Sequence, residues 1–312
     1  MMSTIRVIHI VLASLVTALP CVGAQAQLFR AYLASDGSDA NPCTLQAPCR
    51  LLPAALNAVA DGGEIWMLDS ANYNTATVNV NKSVSILAVP GAVGSIVALD
   101  GGPAISISAS NRTVALRNVV LAQLAGAVDG TYGVNMTGAS KLTIENSLLV
   151  NLPFGGVQVI GAGTLKMIKT TVRDSGNGTA VYLLNGATAD ISGSQMLQNF
   201  GGVRLLANTG TTTTATISDS FISEAYYATF SEAASGGIAR IMLTRSSITG
   251  SYFALFCPGG GNSTIHVGGS LIANNDYAYW KDETCTAIYT AGNNQFNVNT
   301  HTYGSLTSSP LR

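Results

Sequence analysis

Three residues have types and spacing that could do chemistry: Glu145, Lys166 and Asp190. Two carboxylates flanking an amine could act as acid and base in a β-elimination or a glycoside hydrolysis. The same three side chains could equally form a surface charge pair, worth at most about 1 kcal/mol. A second set is aromatic and cationic: Tyr182, Arg204, Phe230, Phe256 and Trp280. Turned outward on neighbouring strands, these would make a flat strip suited to sugar rings or to a partner protein. Turned inward, the same rings would stack in the core, because an error of one residue in strand phase flips every side chain. Asp219 and Arg245 read as a surface ion pair. Four cysteines follow residue 26, Cys43, Cys49, Cys257 and Cys285, an even number that implies two disulfides if the chain is exported, with free buried thiols as the alternative. Cys43–Cys49 would close a short loop, and Cys257–Cys285 would tie neighbouring repeats. Only His266 and His301 lie beyond that point, without zinc-type spacing, so no metal and no cofactor is expected.

Both sets come together only if the backbone returns to the same place at a fixed interval. Six segments show that interval. They begin at Leu142, Leu165, Ala189, Ala215, Ile241 and Ile265, with starts 23, 24, 26, 26 and 24 residues apart. Two residues on stand Ile144, Met167, Ile191, Ile217, Leu243 and Val267, an alternation of period two that belongs to strands. Then come a hydroxyl column (Ser147, Thr170, Ser194, Ser220, Ser246, Ser270), an apolar column (Leu149, Val172, Met196, Ile222, Ile248, Ile272) and a turn-like column (Asn151, Asp174, Gln198, Glu224, Gly250, Asn274). A repeat of this length with short strands is one coil of a parallel β-helix, in which like residues stack as ladders. The hydroxyl and asparagine ladders are expected to bond one another along the stack and so satisfy buried polar groups. In this register Lys166 neighbours Asp190, and Glu145 lies diagonal to Lys166. Phe154, Phe200, Tyr226 and Tyr252 form a further aromatic column at a turn, interrupted at Asn177.

Composition agrees. Charged residues make up only 10% of the chain against 47% hydrophobic, which excludes disorder. A net charge of −1 offers no basic face for nucleic acid. Residues 1–26 read as a signal peptide, with Arg6, an apolar run from Val7 to Val16 and Ala24-Gln-Ala26 as the cleavage site. That run is too short to span a bilayer, and no other segment does so. Residues 27–63 are expected to form an N-terminal cap, with the Cys43–Cys49 loop and an amphipathic helix over 50–60 that buries Leu52, Leu56 and Val59. The β-helix is expected over 64–297, and 298–312 as a C-terminal extension.

The stretch Tyr32-Leu-Ala-Ser-Asp-Gly-Ser-Asp-Ala-Asn-Pro-Cys43, then Pro48-Cys49-Arg50, the helix and Gly62-Gly63-Glu64-Ile65 resemble the opening of secreted right-handed β-helix proteins of the pectin-lyase-like superfamily. Lys82-Ser-Val-Ser-Ile86 and the later repeats are similar too. The resemblance implies an all-β, single right-handed parallel β-helix and export to the periplasm, cell surface or outside, but no particular chemistry. Characterised members include pectate lyases, polygalacturonases, alginate epimerases and phage tailspikes. The sequence has no Asp-Asp with Gly-His-Gly and Arg-Ile-Lys, no Asp-Pro-His-Asp, and no acidic cluster with Arg-x-Pro-x-x-Arg. The sequence therefore favours a non-enzymatic binder of a polysaccharide or surface protein partner. The alternative is a polysaccharide lyase or glycoside hydrolase with a divergent site at Glu145, Lys166 and Asp190.

Overall fold

The computed structural model describes residues 27–99, 101–123 and 131–309. The expected signal peptide lies outside the described residues. The chain is a single β-solenoid whose strands all pair in parallel, and one of its two sheets holds ten strands, about ten turns. Each turn has three faces. The first face contains Tyr132–Met136, Gly155–Ile160, Thr179–Leu184, Gly201–Ala207 and Tyr277–Lys281. The second contains Lys141–Glu145, Thr164–Ile168, Thr188–Ser192 and Thr212–Ser218. The third contains Leu148–Val150, Thr171–Arg173, Gln195–Leu197 and Phe221–Ser223. Two long strands, Tyr227–Thr244 and Phe253–Gly268, run through the first and second faces without a break.

The register follows the sequence columns. Leu142, Leu165, Ala189, Ala215, Ile241 and Ile265 are Cα partners in succession, and all are buried. Two bends per turn are each made by one left-handed residue. Asn146, Lys169, Gly193, Asp219, Arg245 and Gly269 turn the chain from the second face to the third. Asn151, Asp174, Gln198, Glu224, Gly250 and Asn274 turn it from the third face to the next turn. Asn, Asp and Gly tolerate this conformation best, which explains the polar turn column.

The hydroxyl column is buried and bonded, though in a different manner from that expected. The hydroxyls do not bond one another. Each accepts the backbone N–H of its counterpart one turn earlier, at 3.1 to 3.4 Å from Ser147 N–H to Thr170 Oγ1 through Ser246 N–H to Ser270 Oγ. The Ser147, Ser194, Ser220, Ser246 and Ser270 hydroxyls each donate to the carbonyl two residues back, as Thr170 does to Ile168. The bend removes these amides from the strand ladder, so a side-chain oxygen has to serve them. A second ladder works likewise: the Ser251 and Asn275 N–H groups donate to Asn275 and Asn299 Oδ1, both at 3.0 Å, and here the asparagines also bond one another as expected, Asn275 Nδ2 donating to Asn299 Oδ1 at 3.0 Å.

At the N-terminal end, the helix runs over Leu52–Ala58 with Pro53 in its first turn. Val59 is not helical and opens the strand Val59–Met67. Leu52, Ala55 and Leu56 are buried against the strands Leu28–Leu33, Val59–Met67 and Val78–Asn79. Leu28–Leu33 already pairs in parallel with Val59–Met67, so the stack begins ahead of the helix. It also runs on past residue 297, because His301–Tyr303 and Leu306–Ser308 pair in parallel with the turn before. Cys43–Cys49 and Cys257–Cys285 are both disulfide-bonded.

Candidate functional site

On the first face, Val157, Val181, Val203, Thr229 and Leu255 are fully buried. The residue after each points outward, and Gln158, Tyr182, Arg204, Phe230, Phe256 and Trp280 are Cα partners in succession. Tyr303 adds one more ring beyond Trp280. The outward phase thus places Tyr182, Arg204, Phe230, Phe256 and Trp280 in one ladder.

A second outward ladder on the same face was not foreseen. Its members are Tyr132, Gly155, Thr179, Gly201, Tyr227, Phe253, Tyr277 and His301. Tyr227 precedes Phe230 by an odd number of residues, so strict alternation would put one of them inside. Two inward residues in a row, such as Ala228-Thr229 and Ala254-Leu255, break that alternation. The first of each pair has to be small, and the column reads Gly133, Gly156, Ala180, Gly202, Ala228, Ala254, Ala278. A Cβ on Gly202 would lie 2.3 Å from the Ala228 carbonyl oxygen and 2.8 Å from Ile222 Cγ2. This run of Gly and Ala was the sequence signal for the second ladder.

The rings pack on one another. Tyr227 meets Phe230 edge-on at 5.1 Å, Phe253 lies 4.5 Å from Phe256, and Trp280 stacks on Tyr303 at 4.2 Å. Pairs of this kind contribute about 0.5–1.5 kcal/mol each beyond burial. Phe230 and Phe253 point outward yet are only 7% exposed, because neighbouring rings cover them. The accessible surface comes from Phe256, Trp280, Tyr303 and the corner. There Phe200, Tyr226 and Tyr252 stack at 5.2 and 5.0 Å. The register puts Gly178, not Asn177, in the gap of that corner column, since Gly155 pairs with Thr179.

Arg204 ends the apolar run. Its guanidinium lies 5.0 Å from the Tyr182 ring centre and 4.6 Å from that of Phe230. Its Nε is buried without a hydrogen-bond partner. Nearby, Gln158 Nε2 donates to the Tyr132 hydroxyl at 2.9 Å. Burial pushes that hydroxyl above its ordinary pKa, Tyr182 adds to the shift and Arg204 opposes it. Burial, with Tyr226 adding and Arg204 opposing, likewise raises Tyr227.

The acid–base candidates stand on the second face, away from the rings. Lys166 and Asp190 are direct Cα partners and both are exposed. Glu145 lies one turn back beside Ile168, diagonal to Lys166. Its carboxylate is engaged by Arg117 Nε at 3.2 Å, and Arg117 also donates to Ser85 Oγ at 2.6 Å. The structure therefore brings Lys166 and Asp190 side by side, gives Glu145 a different partner, and separates all three from the aromatic ladders. Arg245 binds Asp219 through two bonds of 2.8 Å and holds that carboxyl below its usual range. Further along the second face, His266 stacks on Tyr289 at 4.5 Å. Burial, then Arg240, holds its imidazole below the ordinary histidine value. Among the described residues no three His, Cys, Asp or Glu side chains gather as a metal-ligating group.

Residues 103–294 match the family model described as right handed beta helix region. The structure is similar to that of pectate lyase Pel9A, with a TM-score of 0.66 and 16% identity over 92% of this chain and 78% of that one. It is similar to the polygalacturonase from Erwinia carotovora ssp. carotovora, with a TM-score of 0.53 and 11% identity over 91% of this chain and 96% of that one. A third likeness is to the alginate lyase from Paenibacillus sp. str. FPU-7, with a TM-score of 0.51 and 11% identity over 89% and 100% of the two chains. At these identities the likeness is one of fold. No curated protein matches the chain.

Proposed function

The chain belongs to the right-handed β-helix family, and from that premise we propose that it is an exported glycan-binding protein that holds its ligand without cleaving it. The observation that carries this reading is the aromatic ladder on the outside of the first face, whose accessible rings are Phe256, Trp280 and Tyr303, with Phe230 packed beneath its neighbours. Sugar rings present C–H faces that pack on such rings, and ladder partners stand about 4.8 Å apart along the axis. An exposed aromatic surface of this extent marks a contact site. Two disulfides fit an oxidising compartment and so support export.

A cleaving enzyme is the second reading, favoured by the adjacency of Lys166 and Asp190. It is weaker because both side chains are exposed, Glu145 is engaged by Arg117, and the aromatic ladders lie on another face.

The test is isothermal titration of the protein against a panel of neutral and acidic oligosaccharides, with parallel assay for new reducing or unsaturated ends. Binding without cleavage, weakened at least tenfold in Trp280→Ala and unchanged in Asp190→Asn, is expected. Product formation that disappears in Asp190→Asn would overturn the proposal in favour of the enzyme. Failure to bind any member of the panel would overturn both.

A further inference from the structure

We infer, resting on the reading of this face as a glycan site, that its ligand carries an anionic group at one end of an otherwise neutral saccharide, and that Arg204 receives that group. Along the outward ladder the chemistry changes once. Upstream stand Asn135, Gln158 and Tyr182, downstream stand Phe230, Phe256, Trp280 and Tyr303, and Arg204 lies at the boundary. It is the one formal charge in that succession. Its partners on either side are rings rather than carboxylates, and among the described residues it makes no ion pair.

Two features make Arg204 a receptor rather than a packing piece. Among the described residues its guanidinium makes no hydrogen bond and no ion pair, and its Nε–H is buried without an acceptor, so the charge is uncompensated within the protein, a costly state that an oxygen anion reaching the outer Nη groups would offset. Beside it the second ladder has no rings: Gly155, Thr179 and Gly201 stand between Tyr132 and Tyr227. The Thr179 side chain fills the place where a Gly201 Cβ would stand, so that step of the ladder carries a hydroxyl rather than a ring, and Tyr182 and Phe230 flank the guanidinium. A planar guanidinium favours carboxylate, sulfate ester and phosphate ester alike.

The rest of the face limits how much charge the ligand carries. A saccharide charged on every ring would set anions against the Phe256, Trp280 and Tyr303 rings, which offer no charge to pair them. The other ionisable groups nearby, Glu232, Asp276, Lys281 and His301, stand at the margins of the ladder, and Lys281 Nζ already donates to the Asp282 carbonyl at 3.3 Å. One terminal charge followed by uncharged rings matches this layout, and a uniform polyanion does not.

The experiment takes each neutral hexasaccharide that binds and compares it with versions bearing one terminal carboxylate, sulfate ester or phosphate ester, by isothermal titration. At least one charged version is expected to bind tenfold or more tightly than its neutral parent, and the three arms identify which. The advantage should vanish in Arg204→Gln, survive in part in Arg204→Lys, and shrink as salt is raised. Trp280→Ala should weaken charged and neutral forms by the same factor. Equal binding of charged and neutral forms, with Trp280→Ala still weakening both, would overturn this inference and leave the glycan reading intact. A charge preference that persists in folded Arg204→Gln would also overturn it. If Arg204→Gln fails to fold, Arg204→Lys and the salt dependence decide in the same way. No binding by any neutral or charged form would overturn the glycan reading and this inference with it.

Discussion

Replacing Ser220 by alanine deletes one oxygen from the interior of the stack, and its cost follows from the bonds that oxygen makes. Ser220 Oγ accepts the Ser194 N–H at 3.1 Å and donates to the Ser218 carbonyl at 2.7 Å. The Ser218 carbonyl keeps a second partner, the Gly193 N–H at 3.1 Å, so it is not orphaned. The Ser194 N–H is. A buried donor left without an acceptor costs about 1–3 kcal/mol, and the loss of one small oxygen adds little cavity. Ser220→Thr should be nearly neutral, because the Thr170 hydroxyl fills the same column, accepting the Ser147 N–H and donating to the Ile168 carbonyl. Ser192→Ala, at a half-exposed outward position, should change stability by less than about 0.5 kcal/mol. The decisive measurement is the double variant. Ser194→Ala orphans the Thr170 N–H, whereas Ser220→Ala orphans the Ser194 N–H, so the two losses fall on different amides. Urea midpoints compared at equal slope should give additive losses, about 2–6 kcal/mol together. A Ser220→Ala loss below 0.5 kcal/mol, or a double variant no worse than either single one, would refute the amide-capping account of this column.

Gly202→Ala should destabilise by about 1–3 kcal/mol, read as a lower urea midpoint, because its new Cβ meets Ala228 and Ile222. Ala228→Gly, in the same column, should cost no more than about 1 kcal/mol. Opening Cys257–Cys285, which spans 28 residues, should cost about 3–4 kcal/mol and lower the melting temperature more than opening Cys43–Cys49, which spans 6. His266 has a lowered pKa in the folded chain, so its contribution is fully present above the unfolded value near 6.5 and is lost as pH falls through the folded value. The melting temperature should therefore decline between about pH 7 and 5, and His266→Gln should flatten that decline. An unchanged slope in the variant would rule His266 out.

The turns were legible because their side chains recur in fixed chemical order. Ile144, Met167, Ile191, Ile217 and Leu243 fall in one buried column, and the polar turn column falls on left-handed residues. The outward ladder of Tyr182, Arg204, Phe230, Phe256 and Trp280 followed once the phase was right. The second ladder did not, because two consecutive inward residues shift the phase within a single strand and period-two counting carries no memory of that shift. The helix end was misplaced at Val59 for a related reason: its helical spacing from Leu56 also suits the first inward position of a strand. The partner of Glu145 was hidden because Arg117 belongs to an upstream coil whose columns are weaker in sequence.

The interior ladders have a polarity. From the turn of Val119 to that of Ser246, each turn receives the oxygen for its bend amide from the turn that comes after it in the chain. As the polypeptide emerges from its N-terminus, the newest coil at the growth front always carries amides awaiting their acceptors, and the next coil brings them. Shortening the protein from its C-terminal side would leave stranded donors on the new last coil. Removing coils from the opposite side would leave spare oxygens in this column, which water serves readily, while strand amides such as that of Phe221 would lose the carbonyl of the turn before. Truncations of equal length at the two ends are thus inequivalent, and the solenoid carries a direction of assembly in its side chains.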